Sequence, residues 1–483
     1  MNSTKFLKVY DNLNSKFHYL GEIMDELIKK GAVELSRLIK NGETSSEEVV
    51  KAHLKRIKEV NPEINAITIS LEESALELAI KSDNASKEEK ARPLHGVPFT
   101  IKENIDFEGL PTTDGLPFFA EEFPPKNAPI VDRMLSAGAI PIGRTNLPEM
   151  GLRLDTDNPL RGRTFNPWNK KLTPGGSSGG EAAAIATGMS PIGLGNDVGG
   201  SLRNPAYCCG ISSIKPTVGR VPGVHSGAME NIGLIAPFLT DGPMARKVED
   251  IKTGLSILAG RHIDDPNSVD VPLEGKMPEK FKAALVKEID GIELPPATVR
   301  EIEEAGKILS ENGWDVEEVQ APELDKVFEM WGVILVEGGM ELAPKELFKP
   351  ETAAYLDRWS ETFSHINLSM DEKFTERFRL RKVWSNFLNE YQVCIGPTWC
   401  NLPWPIDTDL DPKLGNDALK KSFYFIAPAN GLGLPAVALA TGVSEGIPTG
   451  IQIYADLFRD DLALLAAEII EKEKPCPSPI NPV

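Results

Sequence analysis

The chain has no run near the ~18 consecutive apolar residues that a helix needs to cross a bilayer. It is also poor in the residues that build metal and thiol centres. Its five cysteines, Cys208, Cys209, Cys394, Cys400 and Cys476, form no CxxC pair and no metal-ligand spacing, so no metal site is expected. An odd cysteine count in a chain of 483 residues fits reduced thiols in a cytoplasm, and the adjacent Cys208 and Cys209 read as small buried hydrophobes. Basic residues are outnumbered 52 to 71, which leaves a formal charge of −19. Such a surface repels phosphate backbones and anionic lipid, so neither nucleic acid nor membrane is an expected partner. Residues 1–20 carry Lys5, Lys8 and Lys16 among polar residues without a compact apolar segment, so no signal peptide is read there. The expected location is cytoplasmic.

What is present is an ordinary folding composition, 41% hydrophobic and 25% charged. Residues 21–60 repeat apolar side chains at helical spacing, with a serine-capped restart at 42–48. Strand-like segments are read at 94–105, 139–143, 192–194, 393–397, 436–439 and 449–454, and helices at 128–137, 181–186 and 460–473. The stretch from 261 to about 382 is charged and reads as strongly helical. Strands alternating with helices along most of the length predict a layered α/β fold. With no internal repeat or long linker, a single domain over 25–475 is expected. It is preceded by an extension at 1–24, followed by a Pro-rich tail at 476–483, and carries a variable helical region at about 261–385.

Two segments are chemically unusual: Thr173-Pro174-Gly175-Gly176-Ser177-Ser178-Gly179-Gly180 and Gly195-Asn196-Asp197-Val198-Gly199-Gly200-Ser201-Leu202-Arg203. Glycine lets backbone approach backbone or ligand closely, and a serine after two glycines can sit where peptide N–H groups converge on one point. A phosphate-binding loop would need a Gly-Lys-Ser/Thr ending, which is absent. Gly175-x-Ser177-x-Gly179 also fits a nucleophile elbow, but that chemistry needs a late histidine. The six histidines are His18, His53, His95, His225, His262 and His365. Two glycine turns without chemistry are the plain structural reading. A hydrolase with a lysine base is the further one.

At these segments the chain resembles the amidase-signature family, which includes fatty acid amide hydrolases, bacterial amidases and the A subunit of glutamyl-tRNA amidotransferase. The resemblance also rests on Leu94-His95-Gly96-Val97-Pro98-Phe99-Thr100-Ile101-Lys102-Glu103-Asn104 and Thr240-Asp241-Gly242-Pro243-Met244-Ala245-Arg246. Near the end, Asn430-Gly431-Leu432-Gly433-Leu434-Pro435 and Pro448-Thr449-Gly450-Ile451-Gln452 add to it. It implies a three-layer α/β/α sandwich around a large mixed β-sheet, with the two glycine–serine loops together at one edge of that sheet.

By the same resemblance Ser201 is the acyl-accepting nucleophile, Ser177 a serine behind a cis peptide bond, and Lys102 the base. Val198, Gly199, Gly200 and Ser201 would supply the oxyanion-hole N–H groups, with Ser178, Asp197 and Arg203 supporting that loop. The physics agrees: lysine is a base only when neutral, and the apolar run before Lys102 favours the burial that lowers its pKa. Should Lys102 not be the base, His95 is the next residue to consider. No cofactor is implied, and the expected partner is a small-molecule amide bound by a monomer or homodimer. Asn158-Pro159-Leu160-Arg161-Gly162-Arg163-Thr164-Phe165-Asn166-Pro167-Trp168 looks closest to the fatty acid amide hydrolase branch. Leu152-Arg153-Leu154-Asp155-Thr156-Asp157 departs from ordinary amidases and is expected to reshape one wall of the site. Trp331, Trp359 and Phe363 are read either as an acyl channel or as helix core. The expected substrate is a hydrophobic or aryl amide, with esters and carbamates open to the same chemistry. The alternatives are a urethanase or aryl acylamidase, and the A subunit of a tRNA-dependent amidotransferase.

Overall fold

Helix boundaries follow local signals. Glycine at 42, at φ 73°, closes the helix Ala32–Asn41 in the left-handed region. Ser45 then opens the helix Ser46–Ile64 with a reciprocal cap: its hydroxyl accepts from Glu48 N–H, and Glu48 accepts from Ser45 N–H. These residues belong to a computed structural model that describes residues 25–226, 233–413 and 420–483. The expected extension at 1–24 lies outside the described residues.

Among the described residues, eleven strands form one mixed sheet. In chain order they are β1 (Ile67–Ser70), β2 (Pro98–Lys102), β3 (Ile140–Thr145), β4 (Ile192–Asp197), β5 (Ser212–Lys215) and β6 (Thr240–Ala245). Then come β7 (Lys282–Leu285), β8 (Asp315–Glu318), β9 (Val393–Pro397), β10 (Ala436–Ser444) and β11 (Ile447–Tyr454). Their spatial order is β1-β3-β2-β4-β6-β5-β10-β11-β9-β7-β8. β2 runs parallel to β3 and β4, whereas β4 pairs antiparallel with β6.

Strand alternation sends successive side chains to opposite faces. Val393, Ile395, Val437, Leu439, Ile451 and Ile453 share one core with the helices Val248–Leu258, Pro296–Glu311 and Asp460–Glu473. Cys394, Ala436 and Tyr454 enter the opposite core, with the helices Leu324–Leu335, Pro350–Phe363 and Met370–Glu390. On that opposite face Ala438 and Met244 meet the all-buried helix Gly179–Ala186. This is the expected α/β/α layering.

The middle of the chain differs from its expectation, because β7 and β8 interrupt the helical stretch and extend the sheet. Asp315-Val316-Glu317-Glu318 buries only part of Val316 and ends the sheet with charge. Charged side chains on an edge strand discourage further pairing, and they also erase the apolar alternation that marks a strand. β6 hides for another reason: Gly242 and Pro243 argue against an interior strand, yet Pro243 pairs opposite Leu194.

Candidate active site

Lys102 ends β2, a strand buried at every residue. Its Nζ donates to Ser177 Oγ at 2.6 Å and to Asn196 Oδ1 at 2.7 Å. Burial lowers its pKa to about 7, against the upward pull of Asp114, Asp197, Asp241 and Glu181. The amine is therefore poised between its two protonation states near neutrality. Glu181, raised to about 7 by burial, accepts hydrogen bonds from the hydroxyls of Thr100 and Thr145.

The Gly176–Ser177 peptide bond is cis. Only glycine fits at 176, since a Cβ there would stand 2.4 Å from the Arg153 carbonyl oxygen. Ser178 N–H donates to the Ser201 carbonyl at 3.2 Å, which joins the two glycine–serine loops. The Ser178 hydroxyl is buried and has no hydrogen-bond partner among the described residues. The loops meet as expected but not at a sheet edge. They lie over the carboxyl ends of the inner strands β2 and β4, where open α/β sheets bind ligands.

The Val198–Ser201 loop connects β4 to the helix Arg203–Cys209. Among the described residues, the N–H groups of Val198, Gly199 and Ser201 donate to no protein acceptor. Gly200 corrects the sequence reading: its N–H is already taken by Asp197 Oδ1 at 2.6 Å. The loop is wedged against an aromatic cluster. Trp331 Nε1 donates to the Val198 carbonyl at 3.0 Å, and a Cβ on Gly199 would stand 2.7 Å from the same indole. Trp331, Trp359 and Phe363 pack together and line none of the cavity beside Ser201, so they are core rather than channel.

Asp197 and Arg203 form a fully buried two-point ion pair, Nε to Oδ2 at 2.9 Å and Nη2 to Oδ1 at 3.1 Å. Burial by itself would raise the Asp197 pKa, but Arg203, Lys215 and Asn430 hold it far below the usual carboxylate range. Arg203 in turn donates to Gln452 Oε1 and Asn430 Oδ1, both at 2.6 Å. The two motif segments near the chain end thus serve to hold this arginine.

In the 152–157 wall, only Leu152 lines the cavity; Arg153 and Asp155 turn into a buried ionic cluster. Asp155, Asp407 and Asp409 converge there within 4.8 Å. Arg153 and Arg163 already bind them, at 2.8 Å to Asp409 and 2.6 Å to Asp155.

Ser177 and Ser201 line one cavity of about 40 Å³, walled by Met150, Leu152, Val198, Ile235, Leu239, Leu335 and Met340. Asn104, Asn196 and His225 supply its polar edge. Sequence reasoning passed over Asn196 and His225. Asn196 adjoins the predicted Asp197, whereas His225 lies in no motif and only the fold brings it in. His95, the alternative base, instead places Nε2 3.1 Å from the Ser82 carbonyl and does not line the cavity.

The family model described as Amidase matches residues 48–464. The chain is similar to an indoleacetamide hydrolase of Bradyrhizobium diazoefficiens, 36% identical over 91% of this chain and 86% of that protein. It is similar to the A subunit of the glutamyl-tRNA(Gln) amidotransferase from Caldanaerobacter subterraneus, 31% identical over 92% of this chain and 97% of that one. Among solved structures, 6-aminohexanoate cyclic dimer hydrolase complexed with substrate superimposes with a TM-score of 0.79. It is 26% identical, over 93% of this chain and 98% of that one.

Proposed function

Because this chain belongs to the amidase family, hydrolases of non-peptide carbon–nitrogen bonds, we propose that it cleaves hydrophobic or aryl carboxylic amides through an acyl-enzyme on Ser201. The observation that carries this reading is the 2.6 Å contact between the depressed lysine Lys102 and Ser177, which lines the same cavity as Ser201. Neutral Lys102 takes the Ser177 proton while Ser177 takes that of Ser201, and Ser201 Oγ adds to the amide carbonyl carbon. The developing oxyanion lies among the free N–H groups of Val198, Gly199 and Ser201. Gly200, Asp197 and Arg203 act one layer out, by fixing the loop. The relay then returns its proton to the departing amine, the carbon–nitrogen bond breaks, and water hydrolyses the ester by the same route.

Apolar walls at Met150, Leu152, Leu335 and Met340 favour an apolar or aryl acyl group. The oxyanion site senses only the carbonyl, so esters and carbamates, urethanes included, follow the same path. No cofactor enters any step. The substrate is a small molecule, and the enzyme works as a monomer or homodimer in the cytoplasm. Similarity to one chain of an amidotransferase supports a second reading, in which glutaminase activity depends on added partner chains.

A fluorophosphonate probe is expected to label Ser201 alone, and Ser201→Ala to lose about 10⁴-fold or more in turnover of acyl p-nitroanilides. Labelling of Ser177 instead would return the nucleophile-elbow reading.

A further inference from the structure

In the antiparallel ladder between β4 and β6, Asn196 stands opposite Asp241. Directly opposed residues project to the same face, with Cβ atoms about 5 Å apart. Asn196 is also the residue whose Oδ1 accepts from Lys102 Nζ at 2.7 Å. Asp241 is thus one strand removed from the group that holds the lysine. It is fully buried, and neither of its carboxylate oxygens meets a hydrogen-bond donor among the described residues. Beside it, His225 Nε2 lies 3.5 Å from Asp241 Oδ1, also has no hydrogen-bond partner among the described residues, and belongs to a ring that lines the Ser201 cavity. Asp114 adds a second buried carboxylate with an unpartnered oxygen.

A buried polar group without partners is costly, so such a cluster is poor material for holding a fold. We propose that Asp241, assisted by Asp114, is a positioning group for the reaction: a carboxylate left unpaired so that its charge sets how firmly Lys102 holds its proton. The proposal rests on the reading of Lys102 as the base. The charged groups that bear on the cluster are Lys102 on β2, Asp197 on β4, Glu181 on the helix Gly179–Ala186, and His225, Asp106, Glu103 and Asp265 from the loops. Burial raises Asp241 to about 6 and Asp114 to about 7, while His225 and Lys102 pull both down. Above those values the carboxylates are ionised and favour the ammonium form of Lys102.

The test uses the full chain and the variants Asp241→Asn and Asp114→Asn. Asparagine is near-isosteric, and at Asp241 no side-chain hydrogen bond is lost, so folding is expected to survive. Either variant alone decides the matter if the other fails to fold. Two quantities are measured: the acid inflection of kcat/KM on an acyl p-nitroanilide, and the Lys102 titration by NMR of lysine-labelled protein. In Asp241→Asn both are expected to move down by about one pH unit, raising kcat/KM severalfold between about pH 6 and the wild-type inflection; Asp114, ionised only near that inflection, should move them in the same direction by less. A carboxylate with only a structural role would lower rate or stability without moving either value. An unmoved Lys102 titration in the folded variants overturns the proposal. A shifted lysine titration with an unmoved rate profile upholds the coupling and removes Lys102 as the base.

Discussion

Asp197 and Asp241 lie on adjacent strands, both fully buried, and they are treated in opposite ways. Asp197 receives the N–H groups of Gly200 and Leu202, the guanidinium of Arg203 and the amide of Asn430. Asp241 receives no hydrogen bond among the described residues and has only the His225 ring within 4 Å as an ionic neighbour. The first arrangement locks one charge state and so fixes a backbone shape. The second leaves protonation free to respond to its surroundings, as groups that tune catalytic bases do. One face of β4 therefore carries a carboxylate locked into the Val198–Ser201 loop, and the other faces a carboxylate left unpaired among the described residues. The two regions should fail differently when broken.

The largest effect is expected on the unpaired side. Lys102→Met keeps much of the side-chain bulk but removes the amine, and amide turnover should fall about 10³-fold or more. Esters, whose leaving group needs less protonation, should lose less. The same variant should be more stable than the parent at pH 6, by on the order of 1–2 kcal/mol, as relieved active sites often are. The sign follows from linkage. Folded Lys102 loses its proton at about 7 and the unfolded lysine near its ordinary value of 10.5, so the unfolded chain binds more protons between these values. Parent stability thus rises with pH across that window, and its deficit against Lys102→Met should close toward pH 10. Denaturant melts of both proteins at several pH values measure this, and a constant gap would count against the depressed lysine.

On the paired side, Arg203→Ala should act through the fold. It strands Asp197 as an uncompensated buried charge, a change that typically destabilises by about 3–5 kcal/mol. Urea midpoints should drop well before substrate binding can be assessed, and an unchanged midpoint would mean the ion pair is dispensable. The smallest effect is expected at the aromatic support of the loop. Trp331→Phe removes the bond to the Val198 carbonyl but keeps an aromatic ring, so kcat/KM should fall about five- to tenfold, the equivalent of roughly 1 kcal/mol. A loss in KM alone would show that the indole shapes the cavity rather than the loop.

The segments of the candidate site were legible because glycine-rich and apolar runs are local features of the sequence. Ser177, Ser201 and Lys102 stand in such contexts, whereas the roles proposed for them rest on the resemblance to the amidase-signature family. The aromatic residues could not be assigned that way: helical spacing marks a buried face but not whether that face meets core or cavity, and Trp331, Trp359 and Phe363 met core. Gly200 was misread for a related reason. A run of glycines suggests converging N–H groups, but which of them remain free depends on where the Asp197 side chain turns. The edge strand β8 escaped notice because charge at a sheet edge removes the alternation by which strands are found.

The amino-acid sequence by itself determined the capped helices, the alternating buried strands and the glycine turns, since each depends on residues a few positions apart. Tertiary structure alone decided which charges are paired. Arg203 reaches Asn430 and Gln452 across 227 and 249 positions, and Asp241 faces Asn196 only through the β4–β6 register. Register is chosen by the burial of whole strand faces, and the depth of that burial moves the Lys102 pKa from 10.5 to about 7.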